Sequence, residues 1–145
     1  MKNKAFIGLD IGDRRIGIAA SATGFLANGL ETYTRLNIAA DAEHIASLAR
    51  AYGARTIVAG LPSHLDGGAH EQAAKNEILL KKLRELGFEI LYFDERLTSV
   101  AAETYMLEAD LSRKKRKQNI DKLAAQIILQ NFLDANGGIS NAGYE

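Results

Sequence analysis

Ala5-Phe6-Ile7-Gly8-Leu9-Asp10-Ile11-Gly12-Asp13-Arg14-Arg15-Ile16-Gly17-Ile18-Ala19-Ala20 is the stretch on which the fold turns. Residues 5–11 read as a strand, the glycine and charged residues 12–15 as a turn, and residues 16–20 as a second strand. A connection this short requires antiparallel pairing, since a parallel partner needs a long crossover. Ser, Thr and Gly in residues 21–25 mark another turn. Residues 26–35 then read as a third strand with weaker alternation.

Further along the chain the period changes. Ile38, Ala42, Ile45, Ala49 and Tyr52 fall at helical spacing, with Gly53 as the stop. Thr56-Ile57-Val58-Ala59 is a short β-branched strand, and Gly60 through Gly68 form a loop around Pro62. Leu79, Leu83 and Leu86 predict a helix ending at Gly87, and residues 88–93 a fifth strand. Thr98 opens a further helix to about Ala109, and Asn119 is placed to cap a last one from 120 to about 135. Three hairpin-linked strands followed by alternating helices and strands predict an α/β domain: a mixed five-stranded sheet flanked by helices on both faces. The domain is expected over residues 1–136, with the Gly/Asn-rich residues 137–145 as a flexible C-terminal tail.

Apolar residues make up 47% and charged residues 25% of the 145, the balance of an ordinary globular domain with a real core. The chain has no cysteine, which excludes disulfides, thiolate zinc sites and thiol catalysis and agrees with a reducing compartment. Asp10, Asp13, Arg14 and Arg15 break the first apolar run too early for a signal peptide, and no run reaches membrane-spanning length. A cytoplasmic protein without a membrane partner is the expectation. The net charge is zero, so any nucleic-acid contact must come from a local patch, and Arg113-Lys114-Lys115-Arg116-Lys117 is the densest one. That run reads equally as a solvated loop or as a phosphate contact.

Three acids stand where a carboxylate is awkward. Asp10 interrupts the first strand, Asp94-Glu95 ends the fifth, and Asp121 sits among Ile120, Leu123, Ala124 and Ile128 in the first turn of the predicted last helix. An ionised carboxylate near a core is costly unless it is paired or binds a metal. Asp10, Glu95 and Asp121 lie on three elements that should pack together, and Ala124 and Ala125 would let the helix approach the sheet closely. A converging trio suits hard divalent cations, which take oxygen ligands and can hydrolyse a phosphodiester without cysteine, histidine or a covalent nucleophile. Each acid also has an ordinary structural reading: Asp10 as a turn opener, Glu95 as a strand end paired with Arg96, Asp121 as a dipole-favoured helix start. Asp94 should point away from Glu95 if the strand continues. His64 and His70 flank Asp66-Gly67-Gly68 without a zinc spacing and read as loop histidines, and no phosphate-binding GxxxxGK[ST], GxGxxG or GxSxG motif is present.

Taken together, the motifs resemble the YqgF/RuvX family. Leu9-Asp10-Ile11-Gly12-Asp13-Arg14-Arg15-Ile16-Gly17-Ile18-Ala19 is similar to its opening signature, and Gly60-Leu61-Pro62 with Leu65-Asp66-Gly67 to its central loop. Asp94-Glu95-Arg96-Leu97-Thr98-Ser99 and Asp121-Lys122-Leu123-Ala124-Ala125 with Ile127-Ile128-Leu129-Gln130 are similar to its last two blocks. The resemblance spans about residues 5 to 135. It implies an RNase H-like fold and a divalent-metal nuclease that matures the precursor of small-subunit ribosomal RNA, in a family also described as Holliday-junction resolvase-like. By motif position it implies Asp10, Glu95 and Asp121 as the catalytic, metal-binding acids, with two Mg²⁺ or Mn²⁺ ions as cofactors. An acid often follows the Ser of the second strand in the family; here Ser21 precedes Ala22, which removes a fourth acid and leaves the trio intact.

The expected activity is therefore phosphodiester hydrolysis of structured nucleic acid, processing the 5′ end of pre-16S rRNA, with ribosomal precursor particles as the setting. Arg14, Arg15, Arg96, Arg113, Lys114, Lys115, Arg116 and Lys117 are expected to hold backbone phosphates. The rivals are a branched-DNA endonuclease, a non-catalytic nucleic-acid-binding module on the same fold, and one half of a sugar-kinase-like protein. Monomer and homodimer both stay open.

Overall fold

A computed structural model of the chain describes residues 4–61, 67–94 and 113–136. Its elements are β1 (Phe6–Ile11), β2 (Arg15–Ser21), β3 (Asn28–Thr34), α1 (Ile38–Tyr52), β4 (Thr56–Leu61), α2 (Gly67–Glu85), β5 (Glu89–Asp94) and α3 (Arg113–Ala135). The strands form one sheet in the order β3-β2-β1-β4-β5. β1 pairs antiparallel with β2, and β2 with β3. β1 to β4 and β4 to β5 are parallel. The mixed five-stranded sheet is thus as expected, with β1 at its centre.

The centre is set by sequence. β1 is apolar on both faces because both faces are covered. Its odd residues Ile7, Leu9 and Ile11 join Ile16, Ile18 and Ile57 in a core under α1 and α2, which contribute Ala42, Ile45, Ala46, Leu79 and Leu83. Phe6, Ala19, Val58 and Phe93 face the other way, against Ala125, Ile128, Leu129 and Leu133 of α3. Each fully buried Ile or Leu stabilises by about 1.5–3 kcal/mol relative to exposure. Helices therefore cover both faces. β3 is an edge strand, half-buried along most of its length, and so alternates weakly.

Helix ends follow local chemistry. The Asn37 side chain accepts from Ala40 N at 2.8 Å and starts α1, a cap the spacing of apolar residues did not reveal. Gly53 ends α1 with φ +71°, the left-handed geometry a glycine adopts without strain. Two expected boundaries move. α2 already begins at Gly67, so Gly67, Gly68 and His70 are helical rather than loop residues, while Pro62, His64 and Asp66 lie outside the described residues. α3 is helical from Arg113, so Asn119 is an interior residue and not a cap. The reason is composition: Lys, Arg and Gln are strong helix formers, and no Gly or Pro stands between 113 and 135. The helix predicted from Thr98 and the tail 137–145 fall outside the described residues.

α3 can lie close to the sheet because glycines clear its path. A Cβ built on Gly8 would lie 2.7 Å from the Leu129 Cβ, and one on Gly17 only 1.8 Å from the Asp121 carbonyl oxygen. Toward the edge strand the contact turns polar. Lys122 N donates to Thr32 Oγ1 at 3.2 Å, and Gln126 Oε1 accepts from Gly29 N at 3.1 Å. Gln130 Oε1 accepts from Ala27 N at 2.8 Å. Spaced four apart, these residues fasten one stripe of the helix to β3 and its preceding turn.

Candidate active site

Asp10 and Gly17 are directly opposed across the β1–β2 ladder, so they share a face of the sheet. Gly17 receives the backbone of α3 at Asp121. The side chain of Asp10 and the helix position of Asp121 are thereby brought to the same spot. Ala124, Ala125 and Ile128 of α3 are buried, as the shared helical face requires. Asp121 itself lies well inside the helix rather than in its first turn, so helix-dipole attraction does not explain it.

The electrostatics of the pair are unfavourable for two free carboxylates. Burial, and then the charge of Asp121, push the Asp10 carboxyl up to about 6. Among the described residues Asp121 has one cationic partner: Arg15 Nε donates to its Oδ2 at 2.6 Å. Arg15 begins β2, after a tight turn in which Gly12 N donates to the Arg15 carbonyl at 2.9 Å. Arg14, in that turn, lines a separate cavity of about 470 Å³ with Asp13, Arg35, Asn37, Lys75 and Ile78, whose walls include neither Asp10 nor Asp121.

Asp10 and Asp121 are thus brought together. Glu95, the third expected acid, and Arg96 lie outside the described residues, since β5 is described only to Asp94. Arg113–Lys117 form the start of α3, N-terminal to Asp121 on the same helix, and are helical rather than loop. Among the described residues no group of three His, Cys, Asp or Glu is gathered for a metal. The two acids nevertheless fit a hard cation: their donors are all oxygen, and a carboxyl held at about 6 by burial and a like charge is short of positive charge.

A second buried acid shows the opposite chemistry, and the spacing of residues did not single it out. Asp41, 1% exposed, accepts from Arg35 Nε, Tyr33 Oη and Leu36 N, each at 2.9 Å. Burial opposes its ionisation, but the Leu36 N–H, the Arg35 guanidinium and the Tyr33 hydroxyl outweigh that and hold its carboxyl below the usual range. Arg35 Nη1 also donates to the Gly12 carbonyl at 3.0 Å, so this cluster braces the turn that carries Arg14 and Arg15. Its position in the first turn of α1, after a capping Asn, was the available signal. Gly17, unmarked by its neighbours in the chain, is the other position the spacing did not single out, and it receives the backbone of α3.

A family model described as "RuvX: Holliday junction resolvase" matches residues 4–135. The chain is 49% identical over 132 residues to a protein of Halalkalibacterium halodurans named "Putative pre-16S rRNA nuclease", covering 88% of this chain and 94% of that one. It is 45% identical over 133 residues to a protein of the same name from Moorella thermoacetica, covering 90% of this chain and 95% of the other. Among solved structures it is similar to Thermus thermophilus RuvC in complex with a Holliday junction substrate, with TM-score 0.60 and 11% identity over 92% of this chain and 96% of that one. That likeness concerns the fold, which is RNase H-like. With nearly the whole chain matched, the protein belongs to the RuvX family, a family of nucleases.

Proposed function

We propose that this protein is a cytoplasmic, divalent-metal-dependent nuclease that hydrolyses phosphodiester bonds of pre-16S rRNA, free or in a ribosomal precursor particle. The observation that carries the reading is Asp10, on the central strand, with its carboxyl raised to about 6 beside Asp121. The names of the relatives support RNA as the substrate. No helix among the described residues is long and apolar enough to cross a membrane.

Asp10 and Asp121, with Glu95 as a third carboxylate, would hold two Mg²⁺ or Mn²⁺ ions. Such ions supply Lewis-acid polarisation of the phosphate and acidify water for the attack. The chain's own work is positional. Asp10 sits on a strand buried on both faces and does not move with the substrate. Gly17 sets the depth at which α3 delivers Asp121. Arg14, Arg15, Arg96 and Arg113–Lys117 supply local positive charge for backbone phosphates in a chain of zero net charge.

The direct test incubates the protein and its Asp10→Asn variant, with and without Mn²⁺, with pre-16S rRNA and a four-way DNA junction in parallel. Metal-dependent cleavage of the RNA by the unsubstituted protein alone is the expected result. Cleavage of the junction with the RNA spared moves the substrate to branched DNA. Binding of RNA without cleavage identifies a non-catalytic module. The basic run is tested separately: replacing Lys114, Lys115 and Arg116 with Gln should flatten the slope of log affinity against log salt by up to about 2–3 units.

A further inference from the structure

Arg15 is the one described cation bonded to either acid of the site, and its bond is to the carboxylate a metal would need. The contact is short at 2.6 Å and joins residues 106 apart in sequence. Among the described residues Nε alone has an acceptor, and the two terminal nitrogens are further donors of the same fork. The Arg15 side chain is half exposed, at 50%, while that of Asp121 is 24% exposed. Arg15 also opens its strand next to a turn, so its side chain can swing without disturbing the core.

We propose that Arg15 is a positioning residue with two alternative partners: it holds Asp121 until a divalent cation takes that carboxylate, and then transfers to a phosphate of the substrate. The inference rests on the reading of the site as a metal-dependent nuclease. Its physical basis is competition. One guanidinium beside two carboxylates leaves net negative charge, which a divalent ion neutralises. The guanidinium and the ion then repel one another and cannot both keep the same oxygen at short range. A phosphate offers Arg15 two acceptor oxygens in the planar geometry its fork matches. Metal and nucleic acid would then favour each other's binding through Arg15, in addition to any contact between metal and phosphate, and the coupling must be reciprocal.

The competition is read by titrating Mn²⁺ alone into the protein and into Arg15→Gln, Arg15→Met and Arg14→Gln variants, followed by calorimetry. Arg14→Gln removes the same charge from the adjacent residue, which is not bonded to Asp121, and controls for the general field. Both Arg15 variants should bind Mn²⁺ about fivefold more tightly than the parent, the worth of a partly exposed ion pair removed from competition. Arg14→Gln should change that affinity much less. Binding of structured RNA is then compared in EDTA and in Ca²⁺, which binds oxygen ligands and is expected to support little cleavage. Arg15→Gln should weaken RNA binding more in Ca²⁺ than in EDTA. Equal tightening by the Arg14 and Arg15 variants, or an equal loss of RNA affinity in both buffers, overturns the exchange while leaving the metal-dependent reading in place. A parent protein that binds neither Mn²⁺ nor Ca²⁺ overturns that reading and the exchange with it.

Discussion

Asp41 and Asp10 are two acids drawn into the same small domain, and their surroundings treat them in opposite ways. Asp41 accepts three hydrogen bonds, one from a guanidinium, and its carboxyl is held below the usual range. Asp10 faces burial and a second carboxylate, and its carboxyl is raised to about 6. The first acid is satisfied by the protein and ties β3, α1 and the β1–β2 turn together. The second is left with a demand for positive charge that the described residues do not meet. Perturbation of this second kind, in a site built from distant elements, is what the proposed metal-binding role requires.

The largest expected effect breaks the comparison at Asp10. Asp10→Asn keeps the shape and deletes the charge, so it should lower metal-dependent cleavage by at least about 10³-fold, roughly 4 kcal/mol of transition-state stabilisation. Single-turnover assays would measure it, and full activity in this variant would eliminate the mechanism. Next comes Asp41→Ala. It takes the carboxylate away from the part-buried Arg35 guanidinium, which keeps only its bond to the Gly12 carbonyl among the described residues, and should cost about 3–5 kcal/mol in urea unfolding, while the molecules that remain folded still cleave.

The two acids should also differ in the sign of their pH dependence. The Asp10 carboxyl is raised in the folded state, so its contribution to stability is fully present below about pH 4 and is lost as pH rises through about 6. Without metal, Asp10→Asn should therefore match the parent near pH 4 and exceed it by roughly 3 kcal/mol at pH 7. Asp41, held low, contributes stability above its unfolded pKa that disappears as pH falls, so the penalty of Asp41→Ala should shrink on acidification. Unfolding curves of the variants from about pH 2 to 7 would show the two trends, Asp10 in the upper half and Asp41 below about pH 4, and parallel curves would refute the contrast.

Smaller effects sharpen the same contrast. Gly17→Ala sets a methyl against the Asp121 carbonyl, so α3 must shift, at a cost of about 1–3 kcal/mol. Because Asp121 moves with the helix, metal affinity should fall along with stability, which separates this variant from Asp41→Ala. Tyr33→Phe removes one bond from Asp41 and should cost about 1 kcal/mol in unfolding with cleavage unchanged.

Much of this molecule is legible along the chain. Odd and even residues of β1 declare two buried faces, and the short turns after Ile11 and Ser21 dictate antiparallel neighbours. Ile38, Ala42, Ile45 and Ala49 declare a helix that ends at Gly53. Asp10 and Asp121 stand out locally because each interrupts an apolar pattern. These features depend on residues within a turn or two of each other, where spacing alone defines which side chains share a face.

Other features needed the assembled sheet. Asn119 resembled a cap, yet the helix-forming run before it carries α3 back to Arg113. Asp41 could not be told from any acid in a helical first turn until Tyr33, Arg35 and Leu36 closed around it. The sequence by itself determined which elements form, which faces are apolar and which acids are out of place. Only the tertiary structure decided that Gly17 lies opposite Asp10, that α3 lands there, and that Arg15 meets Asp121 across 106 residues. The physical reason is that register and close approach are properties of pairs of elements. A glycine looks the same in a sequence whether a helix backbone fills the space beside it or water does.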